Sequence, residues 1–132
     1  MKQKHKIIIH FFGLLLLFNG GFMLLASLLS FIYKDGITTP LFFSGISVLL
    51  VGLLVMIFTK NHSKEMTKRQ GYIVVTFGWI VMALSGTIPY ILTGSITNFT
   101  NAFFETISGY TTTGATVLND IEVLPEGILF WR

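Results

Sequence analysis

The chain has 132 residues, of which 52% are hydrophobic and 11% charged, with a formal net charge of +3 and a mean hydropathy of +0.74. A soluble domain carries about 25% charged residues, so this composition excludes an ordinary soluble protein and indicates an integral membrane protein. There are no cysteines, which removes disulfides and thiolate metal sites. The basic residues flank apolar runs, which is a topology signal and not a nucleic-acid-binding patch.

Ile7 to Tyr33 contains no charged residue and is long enough to cross a bilayer core with some tilt. Lys2, Lys4 and Lys6 precede it like the n-region of a signal peptide, but the run far exceeds a typical h-region, so a retained transmembrane helix is expected. Lys34-Asp35-Gly36 interrupts the pattern, and Thr38-Thr39-Pro40 supplies a helix start for a second span over about 40–59. A polar, basic loop follows at 60–69. A third span is expected over about 71–92, with Pro89 near its far end. Positive charge gathers at the N-terminus and in the 60–69 loop, so the positive-inside rule puts both in the cytoplasm. Spans one and three then run outward and span two runs inward.

The stretch 96–109 is too short to cross the membrane again. Thr97 and Asn98 are candidate N-caps, and Phe99, Ala102, Phe103 and Thr106 fall at helical spacing. A half-length pore helix over 97–109 is expected, its partly negative C-terminal end favouring a cation. Thr111-Thr112-Thr113-Gly114-Ala115-Thr116 then interrupts helix formation, because threonine is β-branched and glycine readily takes positive φ. Non-helical backbone at membrane depth is tolerated only where protein buries it or where it lines a watery path. An extended Thr-Thr-Gly strand is expected to aim backbone oxygens at one axis, as in filters whose oxygens replace the hydration shell of K⁺. The segment reads as one quarter of a potassium filter. The chain returns through Leu118-Asn119-Asp120-Ile121-Glu122, and 125–132 begins a further inward helix that these residues do not complete.

The run Ala102-Phe103-Phe104-Glu105-Thr106-Ile107-Ser108-Gly109-Tyr110-Thr111-Thr112-Thr113-Gly114-Ala115-Thr116-Val117-Leu118, continuing through Asp120-Ile121-Glu122 and Leu124-Pro125 to Phe130-Trp131-Arg132, closely resembles the first pore loop of the Trk/Ktr-type bacterial potassium uptake proteins. The resemblance implies an all-α integral membrane fold built from four fused helix–loop–helix repeats of potassium-channel-like type. Two helices ahead of the first repeat favour the Trk type. By this resemblance residues 1–69 are two leading transmembrane helices with a basic loop, and 70–132 are the first pore repeat, cut off in its return helix. Gly114 matches the family's selectivity glycine. Thr112 and Thr113, with Thr111, are expected to offer carbonyls to the ion, and Ala115 and Thr116 to sit at the outer mouth. Potassium is then the transported ion and no cofactor is bound. The implied partners are lipid, the remaining repeats, a second copy of the protein and a cytosolic nucleotide-binding regulatory subunit, with no nucleic acid. The implied location is the bacterial inner membrane, multi-pass, with a cytoplasmic N-terminus. The chain is expected to be the N-terminal part of a longer protein. The alternative is a small non-conducting membrane adaptor that keeps a degenerate pore-loop hairpin.

Asp120, Glu122 and Glu126 fall on the expected outer side, either concentrating cations at the mouth or forming a solvated acidic loop. Glu105 lies inside the pore helix, where an unpaired carboxylate is costly; it either braces the filter from behind or faces another repeat. Gly71, Gly78, Ser85 and Gly86 form a small-residue stripe for close helix packing, and Asn19 is expected to make an interhelical hydrogen bond or a local kink. His5, His10 and His62 form no recognisable set. No phosphate-binding loop, H-E-x-x-H or nucleophile elbow is present, so an enzyme is not expected.

Overall fold

A computed structural model describes residues 3–62 and 64–132; Lys2 of the N-terminal basic cluster lies outside the described residues. The described chain forms six helices: α1 (Gln3–Tyr33), α2 (Thr38–Phe58), α3 (Lys68–Gly86), α4 (Ile88–Leu92), α5 (Phe99–Tyr110) and α6 (Glu126–Trp131). Three stretches are long and apolar enough to cross a membrane: His5–Tyr33, Thr38–Phe58 and Lys68–Leu92. Their outward faces carry exposed Phe18, Phe22, Leu50, Leu54, Phe58, Tyr72, Val75 and Trp79. Such a surface suits hydrocarbon, where apolar side chains need no burial in protein.

The α1–α2 hairpin closes through glycines. A Cβ at Gly20 would stand 2.9 Å from the Leu49 backbone nitrogen, and one at Gly52 2.9 Å from the Gly13 carbonyl. Gly13 and Gly20 thus meet Gly52 and Gly45 across the antiparallel pair, letting two backbones approach as small residues do in lipid. The seven-residue spacing on both helices is the sequence signal for this contact. The stripe expected on the third span behaves differently along its length. Gly78 packs on Leu15 and Gly86 on Thr106 and Tyr110, but Gly71 meets only the Met66 sulfur at 3.8 Å.

Helix starts also differ from expectation. No side chain caps α2 at Ile37; the Ile37 N–H is instead taken by Asp35 Oδ1 at 3.1 Å. The third span begins inside the expected loop, at Lys68, because Thr67 and Gln70 form a reciprocal capping box. Pro89 has no N–H to offer the Ser85 carbonyl, which explains why the span divides into α3 and α4 at Thr87.

At one end of the bundle α1, α2, α4, α5 and α6 converge on a core of Ala26, Leu41, Tyr90, Ile96, Ala102 and Ile128. That core seats the short helix α5 and the return helix α6 against the three spans.

Candidate functional site

Asn98 is the cap used by α5. Its side chain accepts from Thr100 N at 2.9 Å and Asn101 N at 3.3 Å. The helix then runs to Tyr110, a length of roughly 18 Å, about half a bilayer core. Thr111 is its C-cap, with its N–H on the Ile107 carbonyl at 2.9 Å. The first residue of the Thr111–Thr116 stretch therefore still belongs to the helix end.

Beyond it the backbone is not the extended strand expected from the sequence. φ is +56° at Thr112 and +77° at Gly114. In a regular strand successive carbonyls alternate in direction, so an extended run cannot aim consecutive oxygens at one axis. Left-handed residues break that alternation. At Gly114 this conformation carries no steric penalty, whereas at β-branched Thr112 it is a strained outlier of the kind concentrated at functional sites. The strain is held by Thr112 N on Gly109 O at 3.2 Å and Thr113 N on Ser108 O at 3.0 Å.

The segment is anchored from behind by α5. Ser108 Oγ donates to the Ala115 carbonyl at 2.5 Å, so that oxygen faces the helix. Thr112 Oγ1 donates to the Thr111 carbonyl at 2.7 Å. Among the described residues no hydrogen bond ends on the carbonyls of Thr112, Thr113 or Gly114. Nothing lies within 4 Å of a Cβ placed on Gly114, which stands on the open side.

Glu105 is the anchor of greatest consequence. It is 2% exposed, and its carboxylate accepts from Thr116 Oγ1 at 2.9 and 3.0 Å and from Val117 N at 3.1 Å. Arg132 Nε lies 2.5 Å from Oε1. A buried carboxylate is costly unless paired and hydrogen-bonded, and here it is both. Of the two roles open from sequence, the fold realises the brace. Glu105, Ser108, Gly109, Thr112, Gly114, Ala115 and Arg132 line a cavity of about 160 Å³ beside the segment. The partner lies 27 positions further on, beyond any helical spacing that would pair the two charges in the sequence.

Two further anchors cross from the leading hairpin. Tyr110 Oη donates to Asn19 Oδ1 at 2.5 Å. Asp35 Oδ2 accepts from Gly127 N, at the start of α6, at 2.9 Å, while Oδ1 accepts from Ser30 Oγ as well as Ile37 N. Burial pushes the Asp35 carboxyl up, but these hydrogen bonds outweigh it and hold it below its ordinary value of 3.8. No local periodicity announces either contact.

Asp120, Glu122 and Glu126 are exposed. Asp120 Oδ1 caps Glu122 N at 3.1 Å, and none of the three carboxylates meets residues 112–116 among the described contacts. His10 of α1 and His62 of the 60–69 loop come together with ring centroids 4.2 Å apart; both engage Thr59, at 3.0 Å each. Among the described residues no group of three or more His, Cys, Asp or Glu is placed to hold a metal.

A family model described as TrkH, cation transport protein, matches residues 39–132. Over 131 residues the chain is 34% identical to the Trk system potassium uptake protein TrkH of Vibrio parahaemolyticus, covering 98% of this chain and 27% of that protein. Against the TrkH of Escherichia coli K12 the identity is 35% over 121 residues, covering 91% and 25%. The crystal structure of the potassium transporter TrkH from Vibrio parahaemolyticus superposes with a TM-score of 0.90 at 34% identity, covering 100% of this chain and 28% of that one. The chain thus spans about a quarter of the length of the curated relatives it matches.

Proposed function

This chain belongs to the TrkH family of cation transport proteins, and from that premise we propose that it is the N-terminal part of a potassium uptake subunit. Residues 1–69 are its two leading helices and 70–132 its first pore repeat. Thr111, Thr112, Thr113, Gly114, Ala115 and Thr116 form one of four filter segments, with Thr112, Thr113 and Gly114 supplying the ion-facing carbonyls. Thr111 closes the pore helix, while Ala115 and Thr116 tie the segment to Ser108 and Glu105. K⁺ sheds water onto these oxygens and flows down its electrochemical gradient, with the negative end of α5 adding a favourable field.

One observation carries this reading. A non-helical segment with two left-handed residues is pinned on one side by a buried, fully paired carboxylate, while the carbonyls at its centre receive no hydrogen bond from the described chain. Free backbone carbonyls at membrane depth need a polar occupant, and a dehydrated cation is one. The relatives named as potassium uptake proteins support the choice of ion. The adaptor reading is not favoured, since it leaves the strained segment and its anchors without a purpose. An enzyme is not supported either, because the matched relatives are transporters.

The positive charge of the N-terminus and the 60–69 loop supports an orientation with both on the cytoplasmic side of a bacterial inner membrane. Asp120 and Glu122 then lie in the outer loop, where their charge attracts cations to the mouth. A second copy and a cytosolic nucleotide-binding subunit complete the assembly.

The test is rescue of a potassium-uptake-deficient bacterium at low K⁺ by the full-length protein that contains this chain. Gly114→Ser is expected to abolish rescue or to admit Na⁺, since a side chain at φ +77° is strained and intrudes on the open side. Wild-type uptake and selectivity in Gly114→Ser refute the filter assignment.

A further inference from the structure

Asn19 is 3% exposed in the interior of the first transmembrane helix. An amide so placed needs partners on both of its ends, and two different elements supply them. Nδ2 donates to Ser85 Oγ at 2.6 Å and to the Met82 carbonyl at 3.1 Å, both on α3. Oδ1 accepts from Tyr110 Oη at 2.5 Å. Tyr110 is the last residue of α5, immediately ahead of Thr111–Thr116.

The room for this contact is made by Gly86, where a Cβ would stand 2.7 Å from the Tyr110 hydroxyl and 2.6 Å from Thr106 Cγ2. Trp131 meets the Tyr110 ring edge-on at 6.4 Å between centroids. The hydroxyl is therefore held at the meeting point of the first helix and the pore repeat.

The hairpin also reaches the far side of the segment. Asp35 accepts from Gly127 N at 2.9 Å, and Gly127 is packed so closely on Ser30 and Leu41 that a Cβ would stand 2.8 and 2.6 Å from them. The helix that begins there ends at its C-cap Arg132, which holds Glu105, which in turn holds Thr116 and Val117. Both the entry to the segment and its exit are thus tied to α1 and the turn that follows it.

We infer that Asn19 is a positioning residue for the Thr111–Thr116 segment, so that a helix outside the pore repeat sets the geometry on which ion discrimination depends. This rests on reading that segment as a filter. A small displacement of Tyr110 is passed to Thr111 and Thr112 through the C-terminal turn of α5, where Thr111 N is bonded to Ile107 O at 2.9 Å and Thr112 N to Gly109 O at 3.2 Å.

The experiment uses the full-length protein that contains this chain, reconstituted in lipid vesicles, with initial rates of K⁺ and Na⁺ uptake normalised to protein content. Asn19→Leu keeps the branching at Cγ and removes both ends of the bridge, Tyr110→Phe removes only the hydroxyl, and Gly114→Ser tests the filter itself. Asn19→Leu and Tyr110→Phe are each expected to lower the K⁺/Na⁺ ratio about fivefold, the scale of one lost hydrogen bond. The double variant is expected to fall no further than the lower single, because both act on one contact. Should Asn19→Leu fail to fold, Tyr110→Phe decides alone. If the ratio holds in both while Gly114→Ser shifts it, Asn19 is merely structural and the inference is overturned with the filter reading intact. If Gly114→Ser also leaves the ratio unchanged, the filter reading fails and takes the inference with it.

Discussion

Replacing Glu105 by glutamine is the most incisive perturbation of this fold, because it changes charge and hydrogen-bond sense but not shape. The carboxylate oxygens receive Thr116 Oγ1 at 2.9 and 3.0 Å, Val117 N at 3.1 Å and Arg132 Nε at 2.5 Å. The Thr116 hydroxyl can turn and accept from a new amide. The Val117 N–H and the Arg132 guanidinium cannot accept, so whichever way the Gln amide lies, its NH₂ opposes one of them. Removing one partner of a buried ion pair costs about 3–5 kcal/mol. Here the carboxylate side chain is 1% exposed but Arg132 is 24% exposed, so water recovers part of the loss for the arginine. A destabilisation of about 3 kcal/mol, the low end of that range, is expected. The assay is reversible unfolding of the full-length protein in mixed micelles, run as a cycle with Arg132→Gln and the double variant. A coupling energy of about 1.5–3 kcal/mol is expected for a charge-assisted contact of this geometry. K⁺ uptake should fall with it, since Thr116 and Val117 lose their anchor. A change below about 0.5 kcal/mol, or strict additivity with Arg132→Gln, would refute the claim that this pair braces the segment.

Two neighbouring glycines in α1 are expected to respond oppositely to alanine. Gly20→Ala forces a Cβ onto the Leu49 and Gly45 backbones at 2.9–3.1 Å and should cost about 1–3 kcal/mol by overpacking, whereas Gly21→Ala meets nothing within 4 Å and should gain about 0.5–1 kcal/mol from helix propensity; equal melting shifts for the two would contradict the close crossing of α1 and α2. Asp35 predicts an acid dependence: its folded-state carboxyl lies below its ordinary value of 3.8, so the unfolded chain binds the proton more readily. Its contribution is fully present above that value and lost as pH falls through the depressed one. Thermal scans over falling pH should show a shallower acid loss in Asp35→Asn than in wild type, and parallel curves would mean that Asp35 does not hold α6 by charge.

The transmembrane character of the three spans was legible in the sequence because hydropathy is a local sum: a long uncharged run such as Ile7–Tyr33 has few alternatives in any environment. The same holds for the Asn98 cap, whose acceptor serves N–H groups two and three residues away, and for the helix-ending chemistry of the Thr-Gly run. Even locally there were limits. An extended strand was the natural expectation for three threonines, yet Thr112 takes φ +56° because Ser108 and Gly109 hold the next turn in place. The capping box of Thr67 and Gln70 is a purely local signal, and it starts α3 inside a stretch whose charge marks it as a loop.

What the tertiary structure alone decided is which distant residues complete each other. Glu105 needed Arg132, 27 positions on; Tyr110 needed Asn19, 91 positions back; and Gly127 needed Asp35, 92 positions back. Composition and spacing state that a buried carboxylate, amide or helix end requires a partner, because desolvation without one is costly. They do not state which partner, because that choice depends on how α1, α3, α5 and α6 pack against one another. Sequence thus determined where this chain enters the membrane and where its helices must stop, while packing determined what holds the Thr111–Thr116 backbone in a conformation it would not keep on its own.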